Sequence, residues 1–262
     1  MKTGLIIPCY NEADRIDVKR FVDFIKITND YHLCFVNDGS SDHTIEVLKD
    51  MKRACPERVS VVNMLINKGK AAAVRNGAKY LYTYEDIEYI GFIDADLSTD
   101  FNDFNKLVNT LKFNDELEMV YGSRRKGNSG NIERNFFRDF FSRIIKMVIY
   151  MILRLPIEDT QCGAKVFKRK AIPVAYGYKF LTRWLFDVEI FIRLKNHFGL
   201  KSIMTKIYEQ PLEKWNDVEG SKLGLKDAFM IPMKLVSIWY SYSFFTEAKF
   251  EEKISNRFST FP

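Results

Sequence analysis

Residues 89–96 read Tyr89-Ile90-Gly91-Phe92-Ile93-Asp94-Ala95-Asp96, a short uncharged run that leads directly into two aspartates. A run of this length without charge is typical of a strand that is buried on both faces of a parallel sheet. In open sheets of that kind, ligands bind beyond the carboxyl ends of the strands. The sequence therefore predicts a strand at 89–93 and a binding site at the aspartates that follow it.

The same alternation extends over residues 1–125. Short apolar runs predict further strands at 5–7, 32–36, 59–64 and 119–121. Apolar residues three or four apart predict helices between these strands, at 14–28, 41–55, 70–84 and 102–113. Strands that alternate with helices predict an α/β fold, with a mostly parallel sheet and helices on both faces.

The composition is that of a folded protein with one large domain and an appended segment. The 262 residues are 47% hydrophobic and 28% charged, which excludes a disordered chain. Lysine and arginine number 40 against 34 acidic residues, and the net charge of +6 is too small to indicate nucleic acid as a partner.

The cysteines and the N-terminus indicate a cytoplasmic chain with free thiols. The four cysteines form no C-x-x-C pair, so neither a zinc site nor a redox pair is supported. Lys2 is followed by a short apolar run that stops at Pro8, so we expect no signal peptide. The sequence has no run of about 18 uncharged apolar residues that would predict a membrane-spanning helix.

Polar clusters follow the first four predicted strands, at residues 8–12, 37–42, 67–70 and 94–96. Asp94 and Asp96 are close enough in sequence to approach one Mg²⁺ or Mn²⁺ ion that is shared with a nucleotide diphosphate. The alternative is that they are two solvated loop acids. Because the four clusters fall at one edge of the predicted sheet, together they favour a binding site.

The second and third clusters also suit a nucleotide. Asp38 is placed to accept hydrogen bonds from a base or a ribose, and residues 68–70 lead into a helix whose first N–H groups suit a phosphate. The second cluster has a structural explanation as well, since Ser40 or Ser41 can cap a helix that begins near Asp42. Neither the P-loop spacing nor G-x-G-x-x-G occurs, so a mononucleotide kinase and a nicotinamide enzyme are unsupported.

Two aromatic, amphipathic segments follow in the second half of the chain. Residues 134–154 carry apolar pairs four apart with basic residues around them. That pattern suits a helix lying at a membrane surface, or an ordinary amphipathic helix packed on the sheet. The pattern of residues 229–245 suits a second interfacial helix or a dimer contact, and Pro232 would start or kink such a helix.

The ordered motifs resemble those of family-2 glycosyltransferases. The resemblance starts with Pro8-Cys9-Tyr10-Asn11-Glu12, Asn37-Asp38-Gly39-Ser40-Ser41-Asp42, Asn67-Lys68-Gly69-Lys70 and Asp94-Ala95-Asp96. The branch that glycosylates polyprenyl or dolichyl phosphate is resembled by Gly122-Ser123-Arg124 and Asp159-Thr160-Gln161-Cys162-Gly163. Residues 184–189 and 220–222 extend the match. The resemblance implies a GT-A type catalytic domain at 1–222 and an amphipathic C-terminal extension at 223–262.

The resemblance also implies the site residues. The nucleotide and the sugar donor would lie against Pro8, Tyr10, Glu12, Asp38, Asp42, Lys70 and Asp94. The Mg²⁺ or Mn²⁺ ion would be held by Asp94 and Asp96. The acceptor would be bound by Arg124, Arg125, Gln161 and Arg138. The catalytic residues would be Arg124 and Asp159, the latter as a base or as an orienter of the acceptor.

The implied reaction is an inverting transfer of a hexose from a nucleotide-diphosphate sugar to polyprenyl phosphate. Mannosyl-transferring relatives often carry Gln at the position of Ser98, which favours UDP-glucose as the donor over GDP-mannose. A phosphate acceptor is largely dianionic at neutral pH and needs cations to position it more than it needs a base. Residues 123–126 supply three cations, or are simply a basic surface loop. The enzyme would act peripherally at the cytoplasmic face of the membrane, with a homodimer left open.

Three alternatives remain open. A family-2 enzyme that acts on a saccharide or on another lipid headgroup would need a catalytic base. A non-catalytic peripheral membrane protein would carry a vestigial nucleotide site, although intact Asp94, Asp96 and Arg124 argue against this. A sugar-nucleotide pyrophosphorylase would need a Gly-rich, basic N-terminal loop, which residues 8–12 do not resemble.

Overall fold

The computed structural model describes residues 2–124, 136–213 and 225–243, with the stretches 136–144 and 225–229 described by their backbone alone. The strands are β1 (Lys2–Cys9), β2 (Tyr31–Asp38), β3 (Val59–Met64), β4 (Ile87–Phe92), β5 (Met119–Ser123), β6 (Lys165–Lys168) and β7 (Ile207–Pro211). The helices are α1 (Val18–Ile27), α2 (Thr44–Ala54), α3 (Lys70–Tyr82), α4 (Phe101–Lys112), α5 (Phe136–Leu153), α6 (Ile172–Tyr176), α7 (Phe186–Phe198), α8 (Ile203–Lys206) and α9 (Leu225–Ser243).

These strands form one sheet in the order β3-β2-β1-β4-β6-β5-β7. Neighbouring strands are parallel, except that β6 runs antiparallel to both β4 and β5. The α/β fold and the mostly parallel sheet predicted from the sequence are therefore confirmed. The apolar pattern does not predict β6 or β7, because each of these short strands carries two charged or polar side chains in its interior or at its ends.

Helices cover both faces of the sheet, as the sequence predicts. Side chains alternate along β1, so Ile6 packs into the core beneath α3, α5, α7 and α9. Leu5 and Ile7 point the other way and pack beneath α1, α2 and α4. Because both faces are covered by apolar layers, the loops at the carboxyl edge of the strands are left to carry the polar residues.

No side chain caps the start of α2, where His43 occupies the N-cap position. The Asp42 carboxylate accepts both the backbone N–H and the hydroxyl of Thr44, at 3.1 and 2.5 Å. The alternative explanation of the second cluster, a helix cap by Ser40 or Ser41, is therefore wrong. The Ser40 hydroxyl donates to Asn37 Oδ1 at 2.5 Å instead, which ties the end of β2 to its own loop.

The last helix is fixed to the domain by a buried charged cluster. Glu189 and Arg193 lie one turn apart on α7, and both are fully buried. Tyr242 of α9 donates its hydroxyl proton to Glu189 Oε2 at 2.9 Å, and Arg193 Nε donates to the Tyr242 oxygen at 2.9 Å. A single phenol thus connects the buried ion pair of α7 to the end of α9.

Apolar packing supports the same attachment. Leu235 and Ile238 of α9 are fully buried in the core that also contains α5 and α7. Pro232 lies inside α9, which begins at Leu225, so the proline does not start this helix. Of the helices in the part of the chain that the structure describes, none has the length and apolarity to cross a bilayer.

We expect Tyr242→Phe to lower the free energy of unfolding by about 1.5–3 kcal/mol, because it removes a hydrogen bond to a buried charged group. Urea unfolding monitored by circular dichroism measures this. Tyr150→Phe is the matched control, since Tyr150 is 61% exposed on α5, and its effect should stay below about 0.5 kcal/mol. Equal effects of the two variants would show that the cluster does not hold α9.

Candidate active site

The loops that follow β1 and β2 are joined at the carboxyl edge of the sheet. The backbone N–H of Glu12 donates to Thr44 Oγ1 at 2.8 Å, and that of Ala13 donates to Asp42 Oδ2 at 3.2 Å. Burial would raise the pKa of Asp42, but its hydrogen bonds from Thr44 and Ala13 hold that pKa below its ordinary value. Asp42 is therefore ionised, and its hydrogen bonds join the loop after β1 to the loop after β2.

Asp38 ends β2 and fixes the loop that precedes α3. Its two carboxylate oxygens accept the backbone N–H groups of Lys68 and Gly69, at 2.8 and 2.7 Å. Gly69 has a φ of +90°, which glycine adopts without strain, and the side chain of Arg183 leaves no room there for a β-carbon. Burial raises the pKa of Asp38, while the two N–H groups oppose the shift. A contact between Asp38 and a base or a ribose stays a prediction.

Alternating charges extend from the end of β4 into the protein interior. Lys70 Nζ, on the first residue of α3, is 2.5 Å from Asp94 Oδ1. Lys165 Nζ of β6 is 2.6 Å from Asp187 Oδ1 of α7, and both of these side chains are buried. The two ammonium groups lie 5.7 and 5.5 Å from the centroid of the Phe92 ring. The aromatic ring of Phe92, on β4, therefore interacts with both cations.

Burial and charge act against each other in this network. Burial would lower the pKa of Lys70, but the carboxylates of Asp94 and Asp187 hold it above its ordinary value. Burial raises the pKa of Asp187, against the attraction of Lys165 and Lys70. Lys70 is therefore a cation at the carboxyl edge of the sheet, where it contacts Asp94 and also interacts with the charge of Asp187. We call the region between the loops that follow β1, β2, β3 and β4 at this edge the crevice.

Asp94 and Asp96 occupy the end of β4 with 29% and 26% of their side-chain surfaces exposed. Asp94 Oδ2 lies so close to Gly163 that a β-carbon there would be 2.1 Å from the oxygen, so only glycine fits. Asp96 Oδ1 accepts the backbone N–H of Ser98 at 3.0 Å. Asp96 is therefore held by a backbone N–H and Asp94 by Lys70, while both carboxylates stay partly open to solvent.

This donor set fits a hard divalent cation. Within the described ranges, no three His, Cys, Asp or Glu side chains form a group able to hold a metal. Mg²⁺ is commonly bound through one or two protein carboxylates, with its other ligands supplied by water and substrate phosphates. Asp94 and Asp96 meet that requirement, and a nucleotide diphosphate would have to complete the coordination.

Asp159 and Arg124 form a bidentate ion pair at the carboxyl end of β5. Arg124 Nε donates to Asp159 Oδ2 at 2.7 Å, and Nη2 donates to Oδ1 at 2.8 Å. Glu209 of β7 accepts the N–H of Asp159 at 2.9 Å and the hydroxyl of Tyr121 at 3.1 Å. Burial would raise the pKa of Asp159, but Arg124 holds it below its ordinary range. A carboxylate with a lowered pKa is a weak base, so the geometry favours orientation over proton abstraction.

The first polar cluster reaches the same crevice. Pro8 lies near the end of β1 and Tyr10 follows that strand with 36% of its surface exposed. Glu12 is nearly buried, and Arg15 lies 3.5 Å from its carboxylate and 3.9 Å from that of Asp96. Arg15 therefore connects the first cluster to the Asp94–Asp96 pair, and no sequence motif points to it.

The predicted acceptor residues are placed only in part. Gln161 lies beside the ion pair, since its backbone N–H donates to Asp159 Oδ1 at 3.2 Å. Arg125 and residues 220–222 lie outside the described residues. Arg138 belongs to α5, of which only the backbone is described at that position. The acceptor roles of these residues stay predictions.

Sequence reasoning misses Lys165 and Glu209, both of which support the site. The two lie in β6 and β7, whose mixed polarity hides the strands. The sequence signal that points toward this network is Asp187, an acid among apolar residues in the first turn of α7. A buried acid there needs a cationic partner, but the sequence does not say which one.

Curated relatives cover most of the chain. The dolichyl-phosphate beta-glucosyltransferase of Drosophila melanogaster is 29% identical over 91% of this chain and 77% of its own length. The enzyme of the same name from Saccharomyces cerevisiae is 28% identical over 91% of this chain and 74% of its own length.

Solved structures share the fold at low sequence identity. Glucosyl-3-phosphoglycerate synthase of Mycobacterium tuberculosis, crystallised with Mn²⁺, uridine diphosphate and phosphoglyceric acid, superposes with a TM-score of 0.66. The two chains are 15% identical, and the match covers 92% of this chain and 78% of the other. This likeness confirms the GT-A type fold predicted from the sequence.

A family model described as glycosyl transferase family 2 matches residues 5–173, from the first strand through the β6 region that supports Asp187. That match covers more than half of the chain, so this protein belongs to glycosyl transferase family 2 and is a glycosyltransferase.

Proposed function

We propose that this protein transfers glucose from UDP-glucose to dolichyl phosphate or another polyprenyl phosphate, with inversion at the anomeric carbon. The observation that carries the proposal is the partly exposed Asp94–Asp96 pair at the edge of the sheet, where Lys70 contacts Asp94 and Gly163 leaves room for its carboxylate. The names of the relatives, dolichyl-phosphate beta-glucosyltransferases, support both the sugar and the acceptor. Ser98, where mannosyl-transferring relatives often have Gln, supports UDP-glucose over GDP-mannose.

The donor half of the site stabilises the leaving group. Cleavage of the sugar–phosphate bond leaves a nucleoside diphosphate with additional negative charge. A divalent ion held by Asp94 and Asp96 would neutralise part of that charge. Lys70 adds a preorganised cation beside Asp94, in a crevice where fixed charges act more strongly than in water.

The acceptor half of the site positions a phosphate. Asp159 holds the guanidinium of Arg124 by two hydrogen bonds, and 41% of the Arg124 side chain remains exposed. A guanidinium fixed in this way suits a phosphate oxygen, because its N–H groups are already oriented. A phosphate dianion is itself the nucleophile, so the reaction requires no proton to be removed from the acceptor.

The acceptor lipid would be reached from the membrane surface. α5 and α9 pack against each other, and both expose large apolar side chains. The exposed fractions are 51–66% for Met147, Tyr150, Met151, Met233, Val236, Trp239 and Tyr240. An apolar patch with Met, Trp and Tyr suits the boundary between headgroups and acyl chains. We therefore propose peripheral attachment to the cytoplasmic face through α5 and α9.

We expect Asp96→Ala to weaken Mn²⁺-dependent UDP binding by at least about tenfold, since even groups outside a metal's ligand shell are worth about 10–100-fold. UDP affinity without metal should change little. Isothermal titration with and without Mn²⁺ measures both. Asp23→Ala, an exposed acid on α1, is the control and should bind as wild type. Wild-type metal-dependent affinity in Asp96→Ala would remove the metal assignment.

The pH dependence of the rate should distinguish a phosphate acceptor from an alcohol acceptor. Because the pKa of Asp159 is lowered, this carboxylate is ionised throughout the neutral range. With polyprenyl phosphate, kcat/KM should fall below about pH 6, where the acceptor loses its second charge. Asp159→Asn should lower the rate but keep that acidic limb. An acidic limb that disappears in Asp159→Asn, and persists in the neighbouring Glu158→Gln, would instead identify Asp159 as a base.

Vesicle binding tests the membrane surface. Met147→Asp combined with Met233→Asp should lower partitioning into vesicles by about tenfold or more, since burying such a side chain is worth roughly 1.5–3 kcal/mol. Ile27→Asp with Phe113→Asp is the control, because these residues are 80% and 82% exposed on the α1 and α4 side. Equal losses in the two double variants would refute attachment through α5 and α9.

A further inference from the structure

A cavity of about 340 Å³ lies between the end of α5, the second half of α7 and the last turn of α9. It is lined by side chains from all three helices, among them Arg154, Lys195, Trp239 and Ser243. Its volume is at the lower end of the range of ligand pockets, roughly 300–1,000 Å³. The cavity can hold a headgroup-sized molecule, but not a whole lipid.

The charge of the cavity is entirely positive. Arg154 and Lys195 are the charged side chains of its lining, which contains no carboxylate. Within the described part of the chain, neither makes an ion pair with an acid. Lys195 is half-buried and donates to the carbonyl oxygens of Ile152 and Leu153, at 3.1 and 3.2 Å. Burial and the nearby Arg154 lower the pKa of Lys195, as expected for two neighbouring cations without a counter-ion.

The position of Arg154 is unusual for an arginine. It directly follows α5 with a φ of +52°, and its N–H donates to Tyr150 O at 2.7 Å. This left-handed position after a helix is most often occupied by glycine. The chain instead carries a cation there, at the cavity.

The surroundings of the cavity are apolar and exposed. Met151, Leu200 and Trp239 line it with 53%, 51% and 51% of their surfaces exposed. Met151 and Trp239 belong to the α5–α9 surface for which we propose membrane contact. A ligand that combines an anionic group with an apolar chain would match both the cations and this rim.

We propose that this cavity binds the phosphodiester headgroup of an anionic membrane phospholipid, as a site separate from the catalytic crevice. Lys195 lies eight residues beyond Asp187 on α7, about 12 Å along the helix axis. The lipid acceptor would therefore be held at Arg124 while a second, unreactive lipid occupies the cavity. The inference rests on the proposed attachment of α5 and α9 to a membrane.

The test compares vesicles of phosphatidylcholine alone with vesicles that contain phosphatidylglycerol. Arg154→Gln combined with Lys195→Gln should lower the preference for the anionic vesicles by about tenfold, while binding to phosphatidylcholine is kept. Arg20→Gln combined with Lys201→Gln removes the same two charges at exposed positions and should keep the preference. Lys195→Arg, which retains the cation, should also keep it. An unchanged preference in the Arg154/Lys195 variant overturns the proposal.

Soluble ligands separate this site from membrane attachment itself. Dihexanoyl phosphatidylglycerol below its micelle concentration should bind the wild-type chain saturably, and the Arg154/Lys195 variant at least about tenfold more weakly. Dihexanoyl phosphatidylcholine should bind neither the wild-type chain nor the Arg154/Lys195 variant. Inorganic phosphate that binds as tightly as the lipid would overturn the lipid assignment in favour of a simple anion site. Loss of vesicle binding by the wild type, with short-chain lipid binding retained, would refute the membrane proposal and leave the cavity site standing.

If the double variant has a lowered unfolding midpoint in urea, Arg154→Gln alone decides the question. Arg154 is exposed, so its replacement should leave the fold unchanged. A preference for phosphatidylglycerol that stays at the wild-type level in this single variant would count against the site. A partial loss, of about threefold or more, would support it.

Discussion

The ion pair between Lys70 and Asp94 is the interaction on which the carboxyl edge of the sheet depends. Asp94, Asp96 and Asp187 all place negative charge around Lys70. Without that cation, the three carboxylates would repel one another. Lys70 is the first residue of α3, and the loop before it is held by Asp38. The position of Asp94 therefore depends on Asp38 at the end of β2 and on α3, which follows β3, as well as on β4 itself.

The antiparallel strand β6 supplies the second cation of the same network. β6 brings the ammonium of Lys165 to Asp187, and Lys165 also donates to the carbonyl oxygens of Thr160 and Cys162. A buried carboxylate that loses its partner destabilises a protein by roughly 3–5 kcal/mol. The loop that precedes β6 carries Gly163, whose lack of a side chain lets Asp94 approach the backbone. Strand β6 thus supplies the cation that neutralises the buried Asp187, and the loop before it leaves room for Asp94.

Much of this arrangement could be predicted from the sequence, and the remainder could not for a physical reason. The first five strands follow from short apolar runs that carry almost no charge, and the polar clusters after the first four of them locate the crevice. The burial of Lys165 could not be predicted, because the sequence around a buried lysine in a short strand of mixed polarity looks the same as the sequence around an exposed lysine. The burial of Lys165 depends on Asp187, 22 residues later in the chain. Likewise, Asp159 suits a base by its position, and only the contact with Arg124 reveals a carboxylate held in its ionised form.

Helix α7 relates the crevice to the proposed membrane surface. Asp187 and Glu189 are two residues apart, so they lie on different faces of the helix. Asp187 accordingly pairs with Lys165 behind the proposed donor site, while Glu189 accepts the hydroxyl of Tyr242 of α9. The Lys195 ammonium donates to two backbone carbonyl oxygens at the end of α5. Because one helix makes all three contacts, the packing of α5 and α9 is connected through α7 to the side chains behind Asp94. In the proposed arrangement, the helices that contact the membrane and the helix behind the catalytic site therefore belong to one packed core.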